Sequence, residues 1–81
     1  MDIKILGSGC AKCHALERVV RAAVEREGMD ATITKVEDIM DIMNYGVMIT
    51  PAMVVDNKVL LKGRVPSEDE VITMLKGAEA V

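Results

Sequence analysis

The sequence predicts an α/β fold in which one mixed sheet is covered by helices, and three observations predict it. Short alternating or β-branched runs occupy Asp2–Leu6, Ala31–Val36, Ala52–Val55 and Lys58–Leu61. Segments with helical spacing of apolar residues separate the first run from the second and the second from the third, and one more follows the last. Glycine, proline and Asx turn signals stand at the junctions. The element order is therefore β-α-β-α-β-β-α. The first two strands, joined through a helix, should be parallel neighbours, and the last two should form an antiparallel hairpin.

Each element has its own signature. Asp2-Ile3-Lys4-Ile5-Leu6 alternates as a strand does, and Gly7-Ser8-Gly9 is a turn that swings the backbone up to Cys10. From Ala11 to Glu27 the pattern is helical. Cys13, Leu16, Val20 and Ala23/Val24 share one face, while Glu17, Arg18, Arg21, Glu25 and Arg26 lie largely elsewhere. Glu17 and Arg21 form a favourable i,i+4 pair, and Gly28 supplies the stop. Asp38 caps a short helix with Ile39, Ile42 and Met43 inward, ending near Gly46. Asp56-Asn57 tolerates the positive φ of a tight hairpin turn. Ser67-Glu68-Asp69-Glu70 is a capping box for a last helix, packed through Val71, Ile72, Met74 and Leu75 and ended by Gly77.

Composition narrows the class. At 81 residues the chain is one small domain, and with 51% hydrophobic residues it has the material for a core. It holds one Tyr, no Phe, no Trp and seven Met, so that core should be aliphatic and Met-filled, with Met40, Met43, Met48, Met53 and Met74 at apolar positions. The net charge of −3 argues against nucleic-acid binding. No apolar run approaches the roughly 20 residues of a membrane helix. Met1-Asp2-Ile3-Lys4 lacks the zones of a signal peptide, which makes a cytoplasmic chain the expectation.

The chemistry concentrates in Cys10-Ala11-Lys12-Cys13, which contains the only two cysteines. They fall where the first strand gives way to the first helix. That spacing puts two sulfurs on neighbouring turns, close enough to bond. A helix N-terminus, with its free N–H groups and partial positive charge, stabilises a thiolate, and the thiolate is the species that attacks disulfides. In a reducing compartment such a pair is catalytic or metal-binding rather than a structural staple. As a staple it would achieve little, because the loop it closes is very short. The plainer alternative, two inert core thiols, fits the position and spacing less well.

Taken together, these segments resemble the thioredoxin-fold superfamily, and more narrowly the small thioredoxin/glutaredoxin-like proteins known as redox-active disulfide proteins. The resemblance rests on Ile3–Leu6 running into Gly7-Ser8-Gly9-Cys10-Ala11-Lys12-Cys13, on Tyr45-Gly46-Val47-Met48-Ile49-Thr50-Pro51-Ala52, on Val54–Val59, and on Gly63-Arg64-Val65-Pro66-Ser67. It implies the minimal glutaredoxin-like thioredoxin fold, a mixed four-stranded sheet of order 2-1-3-4, with Thr50–Pro51 in cis. It implies further that Pro51 shields the reactive sulfur, that Thr50 docks an extended partner by strand addition, and that Gly63 leaves space beside the same groove. The chain lacks the extra N-terminal strand and helix of larger thioredoxins, their Trp-Cys-Gly-Pro-Cys signature, and a buried acid in the first strand.

The expected function is thiol–disulfide oxidoreduction without a cofactor. Cys10, first of the pair and after the glycine turn, should be the more exposed and is the expected nucleophile; Cys13, one turn in, should be more buried and resolves the mixed disulfide. Lys12 either favours the Cys10 thiolate or is a solvated surface lysine. His14, four residues after Cys10, either shuttles a proton or is an exposed bystander, the second being the plainer reading. Tyr45 is expected to pack. The expected partners are disulfide-containing proteins and a reductase or low-molecular-weight thiol donor, met by a monomer. Two rivals remain. A metal-carrier module would use Cys10, Cys13 and His14, three ligands where a closed zinc site wants four. A c-type haem protein would use the literal CxxCH of Cys10–His14, against which stand the alternating strands and the near absence of aromatic residues.

Overall fold

In the computed structural model of the chain, which describes residues 1–79, β1 (Asp2–Leu6) runs through the interior of a four-stranded sheet. It pairs in parallel with β2 (Thr32–Val36) on one side and antiparallel with β3 (Ala52–Val55) on the other. The hairpin partner β4 (Lys58–Lys62) completes the order β2-β1-β3-β4. The crossover between β1 and β2 is α1 (Ala11–Glu27). A short α2 (Ile39–Asn44) leads towards β3, and α3 (Glu68–Glu79) follows β4. The α/β class, the element order and the sheet order are those expected from the sequence.

The side-chain alternation of β1 explains the layering. Ile3 and Ile5 point to the face covered by α1 and α3, where they pack with Met53, Val55 and Leu61 of the hairpin. Leu16, Val20 and Ala23 of α1 and Val71, Ile72 and Leu75 of α3 close this cluster. Leu6 points the other way and joins Ala52, Val54, Ile42 and Val47, with Val36 and Tyr45 packed at the edge. Tyr45, the one aromatic residue, is thus a packing residue of the second, smaller layer.

Local chemistry sets the boundaries. Gly28 ends α1 in the left-handed conformation (φ 60°), its N–H donating to the carbonyls of the last turn. Asp56 and Asn57 both take positive φ, 48° and 69°, as the two-residue hairpin demands. Asp38 accepts the Met40 N–H at 2.8 Å to cap α2. The Ser67 Oγ accepts the Glu70 N–H at 3.2 Å, and the Glu70 carboxylate reaches back to the Ser67 N–H, a complete capping box. The Glu17–Arg21 pair forms at 3.0 Å. The Arg21 guanidinium, joined by the Lys35 ammonium, holds the Glu17 carboxyl below the usual carboxylate range.

Several expectations are corrected. The Met-filled core is formed only in part: Met53 is fully buried and Met1, Met29 and Met74 pack half-buried against the main cluster, whereas Met40, Met43 and Met48 are exposed. Ile39 and Met43, expected inward, are 69% and 59% exposed, and Ile42 alone of the helix is buried. The reason is the length of α2. Six residues make fewer than two turns, so Ile42 meets the sheet while Ile39, three residues before it, and Met43, four residues after Ile39, overhang it. Gly77 does not end the last helix, which continues to Glu79. An interior glycine costs only about 1 kcal/mol, and the packing of Leu75 and Ala78 on either side of it against the main core outweighs that. The second strand begins at Thr32 rather than Ala31, and the fourth reaches Lys62 rather than Leu61.

Candidate functional site

The two cysteines lie at the C-terminal end of β1, where the chain turns into α1. Gly7 donates its N–H to the Val36 carbonyl at 3.0 Å, which ties the turn to the end of β2. Gly9 takes φ 68° and reverses the backbone. Cys10 then becomes the N-cap of α1, with an extended backbone (φ −80°, ψ 161°). Its Sγ accepts the Cys13 N–H at 3.1 Å, in the place a serine or aspartate oxygen would usually occupy. A sulfur in this position faces the free N–H groups of the first turn, so negative charge on it is favoured by the hydrogen bond and by the helix dipole.

Cys10 and Cys13 are joined as a disulfide, with Cα atoms 5.1 Å apart. Their surroundings differ. Cys10 is exposed, whereas Cys13 is 6% exposed and faces inward with Leu16, Val20 and Ala23 on the buried stripe of α1. Gly7 supplies the clearance over Cys13: a Cβ at this position would overlap the Cys13 Sγ and approach its Cβ to 3.1 Å. The sequence suggests Gly7 as a turn residue; only the packing shows that the missing side chain makes room for a sulfur. Gly7→Ala is therefore expected to destabilise the fold by about 1–3 kcal/mol, as overpacking does. Urea unfolding checks this, and a wild-type midpoint would show that the turn yields freely.

The loop between α2 and β3 comes up beside the pair. Thr50 is exposed and its Cβ lies 3.7 Å from where a Gly7 Cβ would stand. Pro51 is buried, and the Thr50–Pro51 peptide is cis. The Pro51 carbonyl accepts the Gly63 N–H at 2.8 Å, so the end of β4 braces this loop. Gly63 has φ 80°, and a Cβ there would stand 3.1 Å from the Ile49 side chain. The turn at Gly7, Cys13, Thr50, Pro51 and Gly63 are thus brought to one end of the sheet. Lys12 and His14 are exposed on the first turn of α1. Among the described residues, no hydrogen bond or ion pair joins either side chain to another group of the site, and His14 enters through its backbone N–H to the Cys10 carbonyl at 3.1 Å.

Sequence reasoning missed the surface next to the disulfide. Ser8, Ile39, Ile42, Met43, Val47, Met48 and Thr50 line an open groove of about 300 Å³. Met48 is 95% exposed and Ile49 is 56% exposed on the rim leading to Gly63. The available signal was an apolar stretch, Ile39 to Ile49, attached to a helix too short to bury it.

The described residues contain no group of three or more His, Cys, Asp or Glu side chains arranged to hold a metal ion, and no helix long and apolar enough to cross a membrane. His14 and Cys13 are adjacent in sequence, about 100° apart around the helix, one exposed and one buried.

Comparison with known proteins agrees with this geometry. The family model of the thioredoxin domain matches residues 1–76. A thioredoxin of Methanothermobacter thermautotrophicus is 37% identical over 75 residues, spanning 93% of this chain and 97% of that protein. A thioredoxin of Methanocaldococcus jannaschii is 39% identical over 74 residues, spanning 91% of this chain and 85% of that protein. The structure of thioredoxin 1 from Thermosipho africanus superposes with a TM-score of 0.67, covering 99% of this chain and 96% of the other at 18% identity, and so shares the fold. These matches do not favour the metal-carrier reading. With its CxxC pair bonded at the start of α1 and this family match along nearly its whole length, the chain belongs to the thioredoxin family and is a thiol–disulfide oxidoreductase.

Proposed function

We propose that Cys10 is the attacking sulfur and Cys13 the resolving one in the reduction of protein disulfides. The difference in exposure between the two sulfurs carries this reading: Cys10 is exposed at the helix cap and Cys13 is 6% exposed beneath it. The Cys10 thiolate attacks one sulfur of a substrate disulfide, that S–S bond breaks, and the other substrate sulfur leaves as a thiolate. Cys13, deprotonated, then attacks the Cys10 sulfur, and the second substrate sulfur leaves. The substrate has gained two electrons, protons come from water, and the pair is left as the disulfide. No cofactor enters, because both electrons are held in the sulfur pair.

The substrate is an extended segment on either side of its own cysteine. Its backbone lies along Thr50, with Pro51 behind the sulfurs, and its apolar side chains rest on the groove of Ile39, Met43 and Met48, which adjoins the cysteine turn through Ser8. Gly63 keeps the far rim clear of a side chain. Lys12 adds positive charge at the helix start, and His14 is a solvated neighbour. A reductase or a low-molecular-weight thiol, in the cytoplasm, returns the pair to the dithiol, and the protein works as a monomer.

The test is a trapping experiment. Cys13→Ser is expected to accumulate a covalent mixed disulfide with a reducible protein substrate, attached at Cys10 and released by dithiothreitol. Peptide mapping that finds no adduct at Cys10 would refute the assignment of roles.

A further inference from the structure

Three of the seven methionines gather where no core requires them. Met40, Met43 and Met48 are 65%, 59% and 95% exposed, whereas Met53 has no exposed surface. Met43 and Met48 line the groove that runs past Ser8 and Thr50 beside the disulfide, and Met40 stands exposed on the same short helix. Two of the seven residues lining this groove are thus thioethers, in a chain with one Tyr, no Phe and no Trp. A thioether is apolar and adaptable, which suits a surface that meets varied substrate segments. It is also an apolar side chain that an oxidant turns polar.

We propose that Met48 and Met43 in this groove, with Met40 exposed on the same short helix as Met43, form a sulfoxidation site for peroxides, and that its oxidation weakens substrate docking. In the reaction one oxygen atom passes from the peroxide to the methionine sulfur. The sulfur gives up two electrons, the O–O bond breaks, and with hydrogen peroxide the other oxygen leaves as water. The product sulfoxide is polar and chiral, and it no longer gains from being covered by an apolar segment. When Cys10 and Cys13 are bonded to each other, neither presents a thiolate to the peroxide, so in that state the exposed thioethers react while the dithiol chemistry is preserved. The effect on turnover rests on the reading of the groove as the substrate's seat.

The test uses the whole chain in its disulfide form, treated with hydrogen peroxide, freed of it, mapped by mass spectrometry and assayed for dithiothreitol-driven reduction of insulin. Met48, Met43 and Met40 are expected to gain oxygen well before Met53. The kcat/KM for insulin is expected to fall about fivefold, chiefly through KM, as apolar contact is lost. Methionine sulfoxide reductases should restore it. A variant carrying Met40→Leu, Met43→Leu and Met48→Leu, compared with its own untreated rate, should show no peroxide effect. Oxygen on these three methionines with an unchanged kcat/KM would overturn the proposal, as would an equal loss in the leucine variant or oxidation of Met53 at the same pace. An untreated wild-type protein that reduces insulin no faster than dithiothreitol alone would instead remove the substrate-reduction reading and this consequence with it. Normal untreated turnover that peroxide leaves intact removes the sulfoxidation proposal alone.

Discussion

Replacing Cys10 by serine is expected to bring insulin reduction down to the rate of the chemical reductant alone. The first step requires a sulfur that can be deprotonated, reached by a protein disulfide and bonded to it. Cys10 is exposed at the N-cap of α1, where its Sγ already accepts the Cys13 N–H at 3.1 Å. A serine hydroxyl in the same place could accept that hydrogen bond but cannot form a disulfide. Cys13 cannot substitute, because it is buried on the inner stripe of α1 under the Gly7 turn. The fold should survive, since serine is itself a favoured N-cap. A Cys10→Ser protein with wild-type turnover and a native circular dichroism spectrum would transfer the attack to another group.

A second large effect is expected on stability. Leu16 has no exposed surface and lies in the cluster where α1 and α3 meet Ile3, Ile5 and Met53 of the sheet. Leu16→Ala removes the side chain and leaves a cavity that neighbours on three elements would have to collapse to fill. The expected loss is about 2–5 kcal/mol, at most partly relieved by relaxation. For a domain this small, which sits near the low end of the usual range of about 5–15 kcal/mol, that is a large share of the total. Urea unfolding should show a clearly lowered midpoint at a similar slope. The exposed Met48→Ala is the control, with an expected change within about 0.5 kcal/mol. A Leu16→Ala loss no greater than the control's would show that α1 is not anchored through this residue.

The elements were legible because each one announces itself locally. Strand alternation in Asp2–Leu6, the Gly28 stop, the Asp56-Asn57 turn and the Ser67–Glu70 capping box are short-range signals, and the structure realises each of them. Apart from one-residue shifts in the bounds of β2 and β4, the misreadings came from α2 with the loop after it and from α3, where the local signal points one way and packing decides. Ile39 and Met43 have helical spacing with Ile42, yet a helix of six residues offers the sheet too little contact to cover all three. Gly77 reads as a stop, yet α3 continues past it because the next turn still packs.

The candidate site divides in the same manner. The positions of Cys10 and Cys13, their attachment to a helix start, and the kinship carried by Gly7–Cys13 and Thr50-Pro51 are properties of neighbouring residues, and a linear reading reaches them. An exposed first sulfur and a buried second one follow from the same spacing, since Cys13 shares the apolar face of α1 with Leu16 and Val20. What brings Thr50 and Gly63 to that end is the antiparallel return of β3 and β4. Chain order alone therefore determined the dithiol pair, the order of elements and the family they belong to, because these depend on spacings of a few residues. Tertiary packing alone decided that Gly7 clears a space for sulfur and that three methionines stand in water, because both depend on which surfaces remain uncovered once distant segments have met.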